Sequence, residues 1–434
     1  MRETIIIGGF LLLSLAAMGC AQHSTVPDAV DCSLEDQRYA AGIGANTTLL
    51  AELQDELLWC LEDNRSFDNG RALALMDSFS LGPTTGIAEF DRANPLRSNN
   101  LAIRSDLIRL IIMQRKNASY APDFGSVLSK IREYGFQSGT YTTWYEGSGY
   151  LLYTLAAVRQ ANRNFNDPSL RSFEASSERW LADFALPDGT LAPIGDTALG
   201  TAYTEPKTGN RTIHTDHETA IFFDDGAGYL LFRHPANNTL PGSALRNDLH
   251  TQFDFGAVYL WYAGSWRVRP VGYPGYAIKT QEGLDDKFNY NIQSAERIGG
   301  DFTQNDADRM DIPRYLDSWR AKTSAIVPEN PVSRAEYPDR YEIIFTYVLN
   351  TGEGGAYENY SRTVTLYKNQ RRMDISDRVG GASFLMVSDD AMVTSAVPVS
   401  CDYGGEWSPA YGRVEESRRC AVRGTALDYT VKWQ

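Results

Sequence analysis

The sequence predicts an α+β chain built in series, a helical layer over residues 41–205 followed by an antiparallel β-sandwich over residues 206–434. Three observations predict it. Apolar residues recur at helical spacing from about Ala45 to about Ala185. That period vanishes between Gly195 and Thr215, where Gly, Thr and Pro dominate. Beyond it, short β-branched and aromatic runs alternate with turn residues.

The chain begins with a targeting pattern. Ile5 to Met18 is an apolar run too short to span a bilayer comfortably, and Gly19-Cys20 follows small residues. This resembles a bacterial lipoprotein signal, with residues 1–19 removed, Cys20 lipidated and residues 20–40 a polar tether. The expected location is the cell envelope, as an outer-membrane lipoprotein facing the periplasm or the cell surface. Setting Cys20 aside leaves Cys32, Cys60, Cys401 and Cys420, an even number, which three pairings satisfy. Cys32–Cys60 with Cys401–Cys420 is the simplest, because each bond closes a short local loop in an oxidising compartment.

In the helical layer, Leu49, Leu50, Leu53, Leu57 and Leu58 form one stripe, and Ile103, Leu107, Leu110 and Ile111 another. Leu128, Ile131 and Tyr134 continue the pattern, as do Leu151, Leu155 and Val158, then Phe173, Trp180, Leu181 and Phe184. Turn residues interrupt these runs at Asp68-Asn69-Gly70, Asn94-Pro95, Asn166-Asp167-Pro168 and Pro187-Asp188-Gly189. Short connections imply antiparallel hairpins, and about three fit the length. In the second half, Ile221 to Phe232 reads as a hairpin around Asp224-Asp225-Gly226-Ala227-Gly228, and Phe253 to Tyr262 as a long strand. Tyr341–Leu349, Arg362–Tyr367, Met373–Val379 and Phe384–Val387 read as further strands.

The formal net charge of -14 argues against a nucleic-acid partner, which needs a basic stripe. Any anionic ligand must therefore meet its cations locally.

Four stretches carry chemistry. Glu146, Tyr150 and Tyr153 fall at helical spacing on one face, after glycines that let a backbone approach a ligand; a capped helix whose tyrosines pack on a neighbour is the plain alternative. Ser98-Asn99-Asn100-Leu101 suits an N-cap, and equally an amide that hydrogen-bonds a carboxylate. His250, Gln252 and Asp254 alternate along a strand pattern, close in sequence to Arg246, Arg267 and Arg269, whose forked donors suit carboxylates and sulfates. His214-Thr215-Asp216-His217-Glu218 is rich in ligand-type residues but lacks the His-Glu-x-x-His pattern, so it reads as a solvated start to a strand.

In their order along the chain these stretches resemble the heparinase II/III-like polysaccharide lyases. Asn99-Asn100-Leu101 looks like that family's Asn-Trp at a helix start, and Glu146-Gly147-Ser148-Gly149-Tyr150-Leu151-Leu152-Tyr153 like its Glu-Gly-x-x-Tyr-Trp-x-Tyr. The residues from His250 to Asp254, then Gly272-Tyr273 and Gly275-Tyr276, resemble its His-x-His-x-Asp strand and Gly-Tyr corner. Arg362 and Asp377 resemble a later strand pair. The resemblance implies an (α/α) toroid, here short and incomplete, followed by a β-sandwich with a cleft between them. Several family members hold zinc beside that strand, but Gln252 and Arg269-Pro270 stand where ligands belong, so no metal and no cofactor are expected.

The activity so implied is β-elimination on an anionic, uronic-acid-containing polysaccharide. Asn100, with Asn99, would neutralise the substrate carboxylate with help from Arg267 or Arg269. Tyr150 would act as acid and His250 as the partner base, with Glu146, Arg246, Tyr273 and Tyr276 lining the site. Two other classes stay open. A glycoside hydrolase needs facing carboxylates, for which Glu146 with Asp188 or Asp196 are candidates. A non-catalytic carbohydrate-binding or polysaccharide-assembly lipoprotein needs neither.

Overall fold

The computed structural model of the protein describes residues 32, 34, 47–78, 100–144, 147–195, 197–234, 256–270, 326–328, 332–350, 357–378, 381–410, 413–424 and 426–434. Helices occupy its N-terminal part and antiparallel sheets its C-terminal part.

Six described helices form three hairpins: α1 (Thr47–Glu62) with α2 (Asn69–Ser78), α3 (Asn100–Lys116) with α4 (Gly125–Tyr134), and α5 (Ser148–Phe165) with α6 (Pro168–Phe184). The stripes read from the sequence are their buried faces: Leu50, Leu53 and Leu57 in α1, Ile103, Leu107 and Ile111 in α3, Leu151, Leu155 and Val158 in α5. The tightest turn shows how the sequence sets the break. Asn166 ends α5 in the left-handed region at φ 55, and the Asp167 side chain accepts from Ser169 N and Leu170 N with Pro168 opening α6.

Cross-helix contacts fix the directions. Gln54 of α1 donates to Leu101 O and Ser105 Oγ of α3 at 2.8 and 2.7 Å, while Arg115 at the far end of α3 reaches Arg65 O just beyond α1 at 3.1 Å. Arg104 of α3 meets Tyr153 of α5, and Gln160 of α5 donates to Leu61 O at 3.2 Å. So α1, α3 and α5 run parallel and in mutual contact. Their partners return antiparallel: Arg109 of α3 meets Met76 of α2, Phe165 of α5 meets Phe124 before α4, and Arg159 of α5 pairs with Glu178 of α6. A small hairpin unannounced by the sequence, β1 (Gly135–Ser138) with β2 (Tyr141–Trp144), sits between α4 and α5.

The remaining strands are β3 (Arg211–His214), β4 (Glu218–Phe223), β5 (Gly228–Arg233), β6 (Val258–Tyr262), β7 (Ser265–Val268), β8 (Ile326–Pro328), β9 (Ser333–Glu336), β10 (Arg340–Asn350), β11 (Tyr357–Tyr367), β12 (Arg372–Arg378), β13 (Gly381–Val387), β14 (Ala391–Ser395), β15 (Val399–Ala410), β16 (Arg413–Gly424) and β17 (Leu427–Trp433). One sheet has the order β15-β16-β13-β7-β6-β5-β4-β3; the other has β14-β17-β12-β11-β10-β8, with β9 also on β10.

The eight-stranded sheet is the middle layer. Ala220 and Phe222 of β4, Tyr229 and Leu231 of β5, and Tyr259 and Trp261 of β6 pack with the helices. Their alternating neighbours Ile221, Phe223, Leu230, Phe232, Val258, Leu260 and Tyr262 pack with the second sheet. A strand covered on both faces has no need of polar alternation, which is why these runs read as continuously apolar. The Tyr229 hydroxyl donates to Phe184 O at the end of α6, at 2.9 Å, tying sheet to helices.

One expectation changes here. The strand read as Phe253 to Tyr262 begins, among the described residues, only at Val258; Gly256 turns at φ 77, a conformation open mainly to glycine, and closes back on Arg233. Cys32 is bonded to Cys60 and Cys401 to Cys420, the second bond stapling the β15–β16 hairpin.

Candidate functional site

The start of α5 is built on glycine. Gly147 has φ 103, and a Cβ there would lie 2.1 Å from Ile194 O, so the chain can pass only without a side chain. That close approach lets Ser148 N donate to Ile194 O at 3.0 Å and Gly149 N to Thr197 Oγ1 at 3.2 Å. Ser148 and Gly149, read from the sequence as preceding the helix, are its first two residues. Tyr150 follows in the same turn, 7% exposed.

Asn100 opens α3 and is 3% exposed. Its Nδ2 is buried with no hydrogen-bond partner among the described residues. One turn on, the fully buried Arg104 lies over the Tyr153 ring, 3.2 Å from its centroid, donates to Tyr153 O at 3.4 Å and pairs with Asp55 of α1. This contact sets the level of the two parallel helices. At about 1.5 Å of rise per residue, Asn100 lies about 6 Å and Tyr150 about 4.5 Å toward the N-terminal ends from it. The two residues singled out from the sequence therefore occupy the same end of neighbouring helices. An amide donor left unsatisfied among the described residues, at a helix N-terminus, suits a carboxylate oxygen.

On the sheet side, the Arg362–Asp377 pair is fully buried. Arg362 Nε and Nη2 donate to the two carboxylate oxygens at 2.7 and 2.8 Å, and its Nη1 donates to Gly256 O at 2.7 Å. The Tyr429 hydroxyl donates to Asp377 Oδ2 at 3.3 Å. A forked arginine thus fixes the turn from which β6 departs. Gly256 N also donates to Arg233 O at 2.7 Å and Arg233 N to Ala257 O at 3.0 Å, so the described residues on either side of 235–255 pair with each other.

The two arginines expected to meet substrate have protein partners. Arg267, nearly buried, pairs with Asp390; Arg269 donates to Ser417 Oγ at 3.0 Å and lies 4.6 Å from the centroid of the Trp407 ring. A guanidinium offers no lone pair to a cation, so neither arginine can ligate a metal. Cys20, Asn99, Glu146, Asp196, Arg246, His250, Gln252, Asp254, Tyr273 and Tyr276 lie outside the described residues.

The His214–Glu218 stretch is a correction. Thr215 and Glu218 are buried rather than solvated, while His214 and Asp216 stay exposed. Thr215 Oγ1 accepts from His217 N and Glu218 N, both at 3.0 Å, and donates to Glu218 Oε2 at 2.6 Å; Glu218 pairs with Arg233 across the strands. Burial pushes the His217 imidazole below its ordinary value, and Arg233 adds to this while Glu218 opposes it. His234 completes the cluster. The sequence offered only the ligand-type composition of 214–218 as a signal, since the other members are distant along the chain.

A separate concavity of about 480 Å³ lies on the outer face of the second sheet, lined by Thr363, Thr365, Asp374, Thr394 and Asp428 among others. It holds none of the residues proposed from the sequence.

No family model and no curated protein matches the sequence. Among solved structures, a heparinase III aligns with a TM-score of 0.47 and 11% identity, over 92% of this chain and 71% of that one. Its form with methylated lysines aligns at 0.45 and 11%, over 88% and 66%. A 4-alpha-glucanotransferase from Thermococcus litoralis aligns at 0.22 and 8%, over 80% and 51%.

Proposed function

We propose that the protein is a polysaccharide lyase acting by β-elimination on a uronic-acid-containing polymer. The observation that carries this reading is the buried Asn100 Nδ2, without a hydrogen-bond partner among the described residues, at the same helix ends as Tyr150. The proton α to a uronate carboxylate is weakly acidic, and removing it builds charge on that carboxylate. A donor already desolvated would stabilise this charge without reorganising. Tyr150 supplies the proton to the departing glycosidic oxygen, and His250 is the partner base. The three helical hairpins are the incomplete toroid of this reading, and the two sheets its sandwich.

We further propose that the chain is exported and anchored through Cys20. Two disulfides support an oxidising compartment.

The test is incubation with a panel of uronic-acid polymers, followed by the ultraviolet absorbance of unsaturated uronate. The reading expects a rise on at least one polymer, and loss of that rise in Tyr150→Phe and Asn100→Ala with folding intact. No rise on any polymer sinks it; new reducing ends without absorbance indicate a hydrolase instead.

A further inference from the structure

His234 directly follows β5 and is 4% exposed. Arg334 of β9 reaches it from the other sheet. Arg334 Nε donates to Thr219 Oγ1 of β4 at 2.7 Å, and Nη2 donates to Thr215 O at 3.3 Å. The same Nη2 stands 3.2 Å from His234 Nε2, and Thr219 Oγ1 stands 3.3 Å from it.

A guanidinium can only donate. His234 Nε2 must therefore be the acceptor, and the ring is neutral with its hydrogen on Nδ1. The Asp216 backbone is the hydrogen-bond partner left for that hydrogen. The tautomer thus follows from the partners rather than from any assumed pKa.

We infer that His234 and Arg334 form an acid-sensitive latch between the two sheets. Protonating His234 would turn its only acceptor for Arg334 into a second donor, inside a site that also holds Arg233, the last residue of β5. The groups facing the imidazole are Arg334 from β9, Arg233 at the end of β5, His217 and the Asp216 backbone from the β3–β4 connection, and the Phe232 ring stacked near it. Glu218, the buried carboxylate at the start of β4, acts on His217 and is already held by Arg233 and Thr215. Among the described residues, no carboxylate is paired with the His234 ring to compensate its protonation. In line with this, burial first, then Arg334, His217 and Arg233, hold His234 well below its ordinary value.

The sign follows. A histidine whose folded-state value is lowered takes up its proton more readily when unfolded. Its stabilising effect is whole above about pH 6.5 and is lost progressively as pH falls from there toward the folded-state value. The latch spans Thr219, His234 and Arg334, one residue from the Arg233–Gly256 pairing. Acid therefore loosens the seam of the sandwich beside the Arg233–Gly256 pairing.

The experiment is the unfolding equilibrium of the intact chain from pH 7.5 to about pH 5, in wild type and His234→Gln. Glutamine can still accept from Arg334 but does not titrate. Each lowered histidine contributes up to about a tenfold change in the unfolding constant per pH unit below about pH 6.5. The variant is expected to stay folded at neutral pH and to lose about that much of the wild-type pH dependence. His217→Gln serves as the control for the neighbouring ring. An unchanged pH dependence in His234→Gln overturns the latch. Should that variant not fold, the imidazole signals of the wild-type protein decide. They are expected to keep the Nδ1–H tautomer at pH 6, and Arg334→Gln to raise the titration toward the ordinary histidine value. Titration of His234 at its ordinary value in wild type, or no response to Arg334→Gln, contradicts the inference.

Discussion

Replacing Arg362 by methionine tests how the sheet side of the candidate site is held. The substitution removes the bidentate partner of Asp377 and the donor to Gly256 O at once. Asp377 is 0% exposed, so its carboxylate would stay buried with the Tyr429 hydroxyl as its remaining described donor. Leaving one member of a buried pair unpaired costs about 3–5 kcal/mol. Orphaning the Gly256 carbonyl adds about 1–3 kcal/mol if water does not reach it. A loss of about 4–8 kcal/mol is therefore expected, measured by urea unfolding against wild type. Removing both charges in Arg362→Met with Asp377→Leu leaves no buried charge, so the double variant is expected to be more stable than Arg362→Met alone. Hydrogen exchange at Ala257 should speed up selectively, since Arg362 pins the preceding carbonyl. A cost below about 1 kcal/mol, or a double variant no better than the single one, would refute this account of the anchor.

Other consequences are as specific. Gly147→Ala should destabilise the fold and abolish whatever activity the wild type shows, because its Cβ would collide with Ile194 O and displace Tyr150; melting temperature and assay together check it. Tyr229→Phe removes the hydroxyl that donates to Phe184 O and should cost about 1 kcal/mol in chemical denaturation, unless water replaces it. Opening the Cys401–Cys420 bond, whose partners are 19 residues apart, should cost about 3 kcal/mol, read as a lower denaturation midpoint under reduction in a Cys32→Ser/Cys60→Ser background. Asn100→Asp should weaken binding of a uronate oligosaccharide more than Asn100→Ala does, because it replaces a donor by a like charge; equal affinity of the two variants, by calorimetry, would remove Asn100 from the carboxylate site.

What the sequence announced was local. Leu50, Leu53 and Leu57 repeat within one helix, and Asn166-Asp167-Pro168 carries both a left-handed stop and a capping start. The hairpin from Ile221 to Phe232 needed only its Asp224-Asp225-Gly226 turn, where both aspartates and the glycine take positive φ. What it concealed was long-range. Arg334 lies 115 positions from Thr219 and 100 from His234, a pairing that leaves no period to read. Arg104 reads as a polar position on an apolar helix, yet α1 and α5 enclose it, with Asp55 and the Tyr153 ring receiving its charge. Arg267 looked like a cation for substrate because its partner, Asp390, belongs to a distant connection. The β7–β13 neighbourhood likewise joins strands more than a hundred residues apart, so the sheet order could not be foreseen. For the site, the sequence picked Asn100 and Tyr150, and parallel packing of α3 and α5 is what puts them at one end.

The central claim is elimination, and the masses of the products test it most directly. A uronate oligosaccharide of defined length is incubated with the protein and its fragments are weighed by mass spectrometry. Elimination adds nothing across the broken bond, so the two fragments are expected to sum to the mass of the intact oligosaccharide, with one carrying the unsaturated ring. Fragments that sum to the intact mass plus one water would show that the bond was hydrolysed, and would contradict the account.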